Sequence, residues 1–168
     1  MAGTFLRALR AYQWSKNLLV FAALIFAQQL HVPNQVLKSL VAFAAFCAAS
    51  SAMYLFNDLK DVESDRVHPE KKTRPLASGE MSYVTGVCIL VVLLLASLGL
   101  GAALGVKFLC TVVFYLLLTT LYTVALKKVV VVDVLIIAIG FVVRAMAGLK
   151  TGWRSQAYAV RPGFAAQN

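Results

Sequence analysis

The chain has 168 residues, of which 61% are hydrophobic, and its mean hydropathy is +0.80. Because an ordinary soluble domain is only about 45–50% apolar, the composition excludes that class and indicates an integral membrane protein. The net charge of +9 comes from few, clustered Lys and Arg residues without a contiguous basic face. This pattern argues against nucleic-acid binding and for a role of the charges in membrane topology.

The N-terminal 16 residues have the helical spacing of a short amphipathic helix lying in the membrane interface. Five apolar segments follow and are predicted to cross the membrane as helices: residues 17–32, 39–56, 83–106, 108–126 and 129–149. The first is short for a crossing, and no cleavage site follows it, so we expect it to be retained. The second is rich in Ala and Ser, which permit close helix packing, so we expect it at the centre. The predicted fold is an all-α, polytopic transmembrane helical bundle.

Residues 60–82 form the one long polar stretch, and their prolines predict a loop outside the bilayer. Most Lys and Arg residues lie on the same side of the membrane as this loop, with Lys38 and Lys107 on the other side. By the positive-inside rule, the loop is predicted to be cytoplasmic in a multi-pass protein of the plasma membrane. Residues 150–168 are neither clearly apolar nor clearly structured, and we expect them to form an atypical tail after a transmembrane domain of residues 1–149.

An acidic motif follows the second apolar segment. Its polar residues fall on one face if the helix continues through the motif: Asn57, Asp58, Asp61 and Asp65. Carboxylates so close together repel one another unless a cation lies among them, and Mg²⁺ is commonly held by a few carboxylates plus substrate phosphates. The motif therefore predicts a magnesium–diphosphate site. The alternative is a solvated helix end whose acids pair with Lys60 and Arg66.

A basic run follows the acidic motif directly. Its charged residues can neutralise phosphate oxygens that the metal does not: Arg66, Lys71, Lys72 and Arg74. The alternative is that these charges only set the membrane topology. His68 is either a general base or, as is commoner for a histidine before proline, a turn residue.

Further polar residues lie at or inside the membrane. Arg144 falls in the fifth segment, where a charge usually faces the bundle interior, and it shares a stripe with Asp133, Gly140 and Gly148. Asp133 is equally well explained as an acid at the start of a helix.

Three further polar residues are predicted at the cytoplasmic membrane boundary, level with the acidic motif: Lys16, Asn17 and Lys127. These residues are candidates for contact with a headgroup or a substrate, although interfacial lysines are usually membrane anchors.

The motif Asn57-Asp58-x-x-Asp61-x-x-x-Asp65 resembles the first aspartate-rich motif of the UbiA-type polyprenyl transferases, intramembrane helical enzymes. Three more stretches extend the match: Gln13-Trp14-x-Lys16-Asn17, Asp65-Arg66-x-His68-Pro69-x-Lys71-x-x-Arg74-Pro75-x-Ala77-x-Gly79, and Tyr122-x-x-x-Leu126-Lys127 with Asp133 and Phe141-x-x-Arg144-x-x-x-Gly148. Together they are most similar to the branch that transfers phosphoribose from phosphoribosyl diphosphate onto decaprenyl phosphate.

The resemblance implies Mg²⁺ as cofactor, phosphoribosyl diphosphate and a polyprenyl phosphate as substrates, and a role in making arabinan precursors of the cell envelope. It assigns catalytic and metal-binding roles to Asp58, Asp61 and Asp65, with Asn57 as a further metal ligand. The substrate-binding residues it implies are Lys16, Asn17, Asn57, Arg66, Lys71, Arg74, Tyr122, Lys127 and Arg144. A homo-oligomer is left open.

The family has about nine spans and a second acidic motif after the sixth, whereas this chain shows about five spans. We therefore expect the N-terminal half of the fold, from a truncated or frameshifted product or a fragment. Two alternatives stay open for function. One is transfer of a prenyl group from its diphosphate to an aromatic or glycerol-phosphate acceptor, and the other is a membrane fragment without enzymatic activity.

Overall fold

The computed structural model of the protein describes residues 2–26 and 28–126, and the regular structure of this part is helical throughout. The α-helices are α1 (Ala2–Ala8), α2 (Ala22–Phe26), α3 (Pro33–Lys60), α4 (Val62–Val67), α5 (Tyr83–Ala103) and α6 (Val106–Leu121). Two 3₁₀ helices, Ala11–Phe21 and Lys71–Thr73, and a π-helical turn, Tyr122–Leu126, complete the described elements. Within the described residues, three helices are long and apolar enough to cross a membrane: α3, α5 and α6 with its continuation. The prediction of an all-α membrane bundle is confirmed.

Helix α3 is the central helix of the described part. It begins at Pro33, a residue suited to the first turn because its missing N–H would have no partner there. In its most apolar stretch 61% of the residues are buried, against 17% for α5 and 28% for α6. Phe46 packs edge-to-face on Phe108 and Tyr115, with ring centroids 5.9 and 5.5 Å away. The expectation that the second predicted segment lies at the centre is therefore confirmed.

Helices α5 and α6 form a hairpin that packs against α3. The Ser82 Oγ caps α5 by accepting a hydrogen bond from the Thr85 N–H at 3.1 Å. The turn into α6 is made by Gly105, whose φ of 105° is costly for any residue with a Cβ. Because Gly86 has no side chain, α5 comes close to Leu59 and Leu76, near the acidic motif.

The first predicted span differs from a single α-helix. The chain instead forms the 3₁₀ helix Ala11–Phe21, which continues directly into α2. A 3₁₀ helix rises about 2.0 Å per residue, more than the 1.5 Å of an α-helix, so this short segment extends further than its length suggested. It is tied to α3 by the Trp14 indole N–H, which donates to the Ser51 Oγ at 2.9 Å. The fifth predicted span, residues 129–149, and the tail, residues 150–168, lie outside the described residues.

Candidate functional site

The acidic motif does not continue as one helix. Helix α3 ends at Lys60, and the backbone of the next residue, Asp61 (φ −97°, ψ 6°), separates it from α4. Asp58 lies on the last turn of α3 and Asp65 on α4, and both are buried, with exposed fractions of 4% and 3%. Asp61 is half-buried. Two of the three aspartates of the motif, one on each side of this break, therefore lie in the protein interior.

Arg74 joins these two buried carboxylates. Its Nη1 donates to the Asp58 Oδ1 at 3.0 Å and to the Asp65 Oδ2 at 2.6 Å. Buried carboxylates are stable only when they are paired and hydrogen-bonded. The two aspartates predicted from the sequence and the arginine predicted from the basic run are thus brought together at one point.

Arg10 is a second cation at this site, and the sequence interpretation missed it. Its Nη2 donates to the Asp58 Oδ1 at 2.7 Å, and its guanidinium carbon lies 4.8 Å from the centroid of the Tyr54 ring. From the sequence alone, Arg10 is one of the Lys and Arg residues near the N-terminus whose charge bias predicts the membrane topology. Because the contact joins residues 48 positions apart, no local spacing pattern could reveal it.

For the two buried aspartates, the alternative pairing with Lys60 and Arg66 is wrong. Arg66 pairs with Glu63 on the surface of α4 at 3.0 Å. The Lys60 Nζ donates instead to the Thr123 carbonyl at 2.9 Å, at the π-helical turn that follows α6. Asp58 and Asp65 are instead partnered by Arg10 and Arg74, which lie outside the acidic motif.

A cavity of about 440 Å³ opens beside Asp58. The N-terminal segment, residues 6–12, forms one wall. Residues 73–75, at the end of the basic run in the loop of residues 60–82 (the basic loop), form the other. Its lining residues are Leu6, Arg7, Arg10, Ala11, Tyr12, Asp58, Thr73, Arg74 and Pro75. Among the described residues, three guanidinium groups and one carboxylate border the cavity, so this part of its wall favours an anionic ligand.

Contacts between α1 and residues distant in sequence hold the walls of this cavity together. Arg7 forms an ion pair with Glu80, and the Thr4 hydroxyl donates to the same carboxylate at 3.1 Å. Ala8 is buried in an apolar cluster that includes Leu55 and Leu76. These contacts fix α1 against the end of α3 and the loop.

Other predicted site residues of the loop and of α3 lie close in sequence to the buried aspartates and to Arg74, but outside their ion-pair network. Asn57 is half-buried on the last turn of α3, and Lys71 is half-buried in its 3₁₀ turn. The His68 Nδ1 accepts from the backbone N–H groups of Glu70 and Lys71, at 3.3 and 3.4 Å. His68 is thereby placed as a turn residue.

The predicted residues of the first segment take different positions. Lys16 is exposed, whereas Asn17 is fully buried and its side-chain amide donates to the Ser50 Oγ at 3.2 Å and the Cys47 Sγ at 3.3 Å. This contact gives Asn17 a packing role between the 3₁₀ helix and α3.

The remaining predictions concern the end of the described part and beyond. Tyr122 is half-buried and begins the π-helical turn, close in sequence to the carbonyl that binds Lys60. Lys127, Asp133 and Arg144 lie outside the described residues.

The donor set at the acidic motif fits a hard divalent cation. Within residues 2–26 and 28–126, no three acidic, histidine or cysteine side chains are grouped closely enough to form a ready-made metal site. Asp58 and Asp65, however, direct one oxygen each at the same nitrogen of Arg74. Because Mg²⁺ is commonly bound by one or two protein carboxylates plus substrate phosphates, two converging carboxylates are sufficient on the protein side.

Comparison with known proteins gives the context of this site. The chain is 39% identical over 152 residues to the decaprenyl-phosphate phosphoribosyltransferase of Corynebacterium glutamicum, covering 88% of this chain and 46% of that protein. The chain therefore spans about half the length of this relative.

Solved structures share the fold. A UbiA homolog from Archaeoglobus fulgidus bound to GPP and Mg²⁺ superimposes with a TM-score of 0.73 at 24% identity, over 89% of this chain and 54% of that one. A structure of digeranylgeranylglyceryl phosphate synthase gives a TM-score of 0.80 at 22% identity, over 90% of this chain and 53% of that one. The model of the UbiA prenyltransferase family matches residues 17–152. Most of the chain is thus covered, and the protein belongs to the UbiA prenyltransferase family of membrane transferases.

Proposed function

We propose that this chain forms half of a Mg²⁺-dependent membrane transferase that moves phosphoribose from phosphoribosyl diphosphate to a polyprenyl phosphate. The observation that carries the proposal is the convergence of Asp58 and Asp65 beside a cavity bordered by arginines. The name and the 39% identity of the Corynebacterium relative support phosphoribose as the transferred group.

The buried acids would hold the metal. Asp58 and Asp65 supply the converging oxygens, and Asn57 and Asp61 lie on the same motif as further ligands. A bound Mg²⁺ would neutralise negative charge that develops on the departing diphosphate. Arg74 already spans both acids, and once displaced from them its fork-shaped guanidinium suits phosphate oxygens.

The acceptor is a lipid phosphate. Its oxygen is already anionic, so it attacks the anomeric carbon without needing a strong general base. This agrees with the role of His68, whose ring accepts backbone hydrogen bonds in a turn. The acidic motif lies at the C-terminal end of the membrane-crossing helix α3. This position suits a substrate whose lipid tail stays in the bilayer. We propose the cytoplasmic face of the plasma membrane as the location.

The second candidate is transfer of a prenyl group from its diphosphate. The Archaeoglobus structure with the same fold contains GPP and Mg²⁺. Both reactions use a metal-bound diphosphate as the leaving group, so the acidic motif alone does not separate them.

A transfer assay separates the candidates. Residues 1–149 of this chain are fused to the part of the Corynebacterium relative that the chain does not match, and membranes with the fusion receive polyprenyl phosphate. We expect label to pass from phosphoribosyl diphosphate to the lipid, and to do so only with Mg²⁺. An Asp65→Asn fusion is the control and should lose most of the transfer.

Two other outcomes would contradict the proposal. Transfer from labelled prenyl diphosphate alone, to an aromatic or glycerol-phosphate acceptor, would favour the second candidate. No transfer from either donor, with the fusion correctly inserted, would favour a membrane protein without enzymatic activity.

A further inference from the structure

The cavity between α1 and the basic loop contains more cationic binding capacity than its ion pairs use. A guanidinium group carries five N–H donors on three nitrogens. Arg10 uses Nη2 and Arg74 uses Nη1 for their contacts with Asp58 and Asp65. Within the described part of the chain, the other side-chain nitrogens of these two arginines make no hydrogen bond, while both residues line the cavity.

Both arginines are well shielded from water. The side chain of Arg10 is 17% exposed and that of Arg74 is 23% exposed. Because a desolvated cation attracts an anion more strongly than a hydrated one, spare donors at these positions are better placed to bind phosphate than surface lysines are.

Arg10 is also held in an unusual backbone conformation. Its φ of 49° and ψ of 48° lie in the left-handed region, which costs free energy for any residue with a Cβ. A strained conformation of this kind persists only where interactions of the surrounding structure hold it in place, and such conformations are concentrated at functional sites. Here it directs the side chain between the Tyr54 ring and Asp58, at the cavity wall.

We propose that this cavity binds a phosphate monoester, with the spare donors of Arg10 and Arg74 as its ligands. The inference rests on the proposed function, for which it assigns a second phosphate position distinct from the diphosphate at the acids. The volume of about 440 Å³ accommodates a phosphate with an attached pentose but not a whole polyprenyl chain. The monoester is either the sugar phosphate of a soluble substrate or the headgroup of a lipid phosphate.

Binding is measured on the whole 168-residue chain in nanodiscs, with EDTA and without turnover. One arm titrates ribose 5-phosphate by calorimetry. The other compares nanodiscs with and without polyprenyl phosphate by the ³¹P resonance of the headgroup. We expect binding in at least one arm, and the arm that responds identifies the source of the phosphate.

The central variant is Arg10→Gly, because glycine adopts the left-handed backbone without strain and Asp58 keeps its contact with Arg74. Loss of a charge-assisted hydrogen bond should weaken phosphate binding about tenfold or more. Arg10→Lys should bind phosphate more tightly than Arg10→Gly but less tightly than the unmodified chain, because lysine supplies the positive charge but not the fork-shaped guanidinium. Lys107→Ala, which removes an exposed cation remote from the cavity, should bind as the unmodified chain does.

The proposal is overturned if the unmodified chain binds neither phosphate, or if Arg10→Gly binds with undiminished affinity. Should the glycine variant fail to fold, Arg10→Lys decides alone, and wild-type affinity in that variant overturns the proposal. Because the measurement needs neither Mg²⁺ nor transfer, its result is independent of the transfer assay. Arg10-dependent binding without transfer would reject the proposed function while the phosphate site stands.

Discussion

At the scale of single residues, the site is an ion-pair network in an apolar setting. Asp58 is buried on the last turn of the membrane-crossing helix α3, and Asp65 is buried on α4, which follows it. An unpaired carboxylate is strongly unfavourable at either position. Arg74 contacts both acids, and Arg10 contacts one of them. The same arrangement that stabilises the acids keeps two carboxylates close enough to share a cation.

The stability of this network predicts the effect of Arg74→Leu. Removing one partner of a buried pair leaves an uncompensated charge, and we expect a loss of about 3–5 kcal/mol in the free energy of unfolding. Adding Asp65→Asn to this variant should recover part of the loss, because one of the stranded charges disappears. Unfolding in mixed micelles measures both variants.

Arg66→Leu is the matched control, because its pair with Glu63 is exposed. Its cost should be below about 1 kcal/mol. Equal losses for Arg66→Leu and Arg74→Leu would show that the buried network does not stabilise the fold.

At the scale of helices, the side chain of Lys60 connects the end of α3 to the turn that follows α6. The Lys60 Nζ donates to the Thr123 carbonyl at 2.9 Å and approaches that of Val124 at 3.5 Å. A π-helical turn leaves carbonyls without their usual partners, and such turns are frequent at functional sites. The acidic motif and the predicted site residue Tyr122 are thereby held at one end of the bundle.

This connection predicts the effect of Lys60→Met on the π-helical turn. Without the ammonium group, the carbonyls of Thr123 and Val124 lose a donor, and the turn should exchange its amide hydrogens faster. Hydrogen exchange read by mass spectrometry on the peptide containing Tyr122–Leu126 measures the change. Lys72→Met, which alters an exposed lysine, is the control, and equal exchange in the two variants would count against the connection.

Close packing of α5 predicts a difference between two glycines of that helix. A Cβ at Gly86 would lie 3.0 Å from Leu76 and 3.1 Å from Leu59, whereas one at Gly99 would meet nothing within 4 Å. Gly86→Val should therefore destabilise the protein by about 1–3 kcal/mol through overpacking. Gly99→Val should have little effect, and unfolding of both variants under the same conditions tests the contrast. Similar stabilities would mean that α5 does not rest on the acidic end of α3.

The sequence predicted the long helices better than the site. The segments 39–56, 83–106 and 108–126 fall within or close to α3, α5 and α6 because continuous apolar runs of membrane length have few alternatives. The 3₁₀ helix Ala11–Phe21 was not predicted, since its side chains have no period that distinguishes it from an α-helix.

The candidate site could be predicted only where the residues are neighbours in sequence. Asp58, Asp65 and Arg74 were predicted and meet in the structure. The break at Asp61 was not predicted, because no proline or glycine marks it. The contribution of Arg10 depends on packing of the N-terminal segment against α3, which no spacing pattern contains.

At the scale of the whole molecule, orientation in the membrane is a separate prediction. The charge bias predicts that residues 60–82 face the cytoplasm. Ser64 is exposed on α4 and lies within this loop, so Ser64→Cys should react with a thiol reagent only after the membrane is made permeable. The native cysteines are replaced by Ala first. Labelling of Ser64→Cys from outside intact cells would show that the loop faces outward, opposite to the predicted orientation.

The central claim is that Asp58 and Asp65 hold the diphosphate substrate through Mg²⁺. The claim applies to this chain by itself, which spans 46% of its Corynebacterium relative. The most direct measurement is the affinity of the purified chain for phosphoribosyl diphosphate, with Mg²⁺ and with EDTA, in the unmodified protein and in the Asp58→Asn/Asp65→Asn variant. The account predicts that Mg²⁺ strengthens binding to the unmodified chain by about tenfold or more and has no effect on the variant. A Mg²⁺ effect of the same size in both proteins would contradict it.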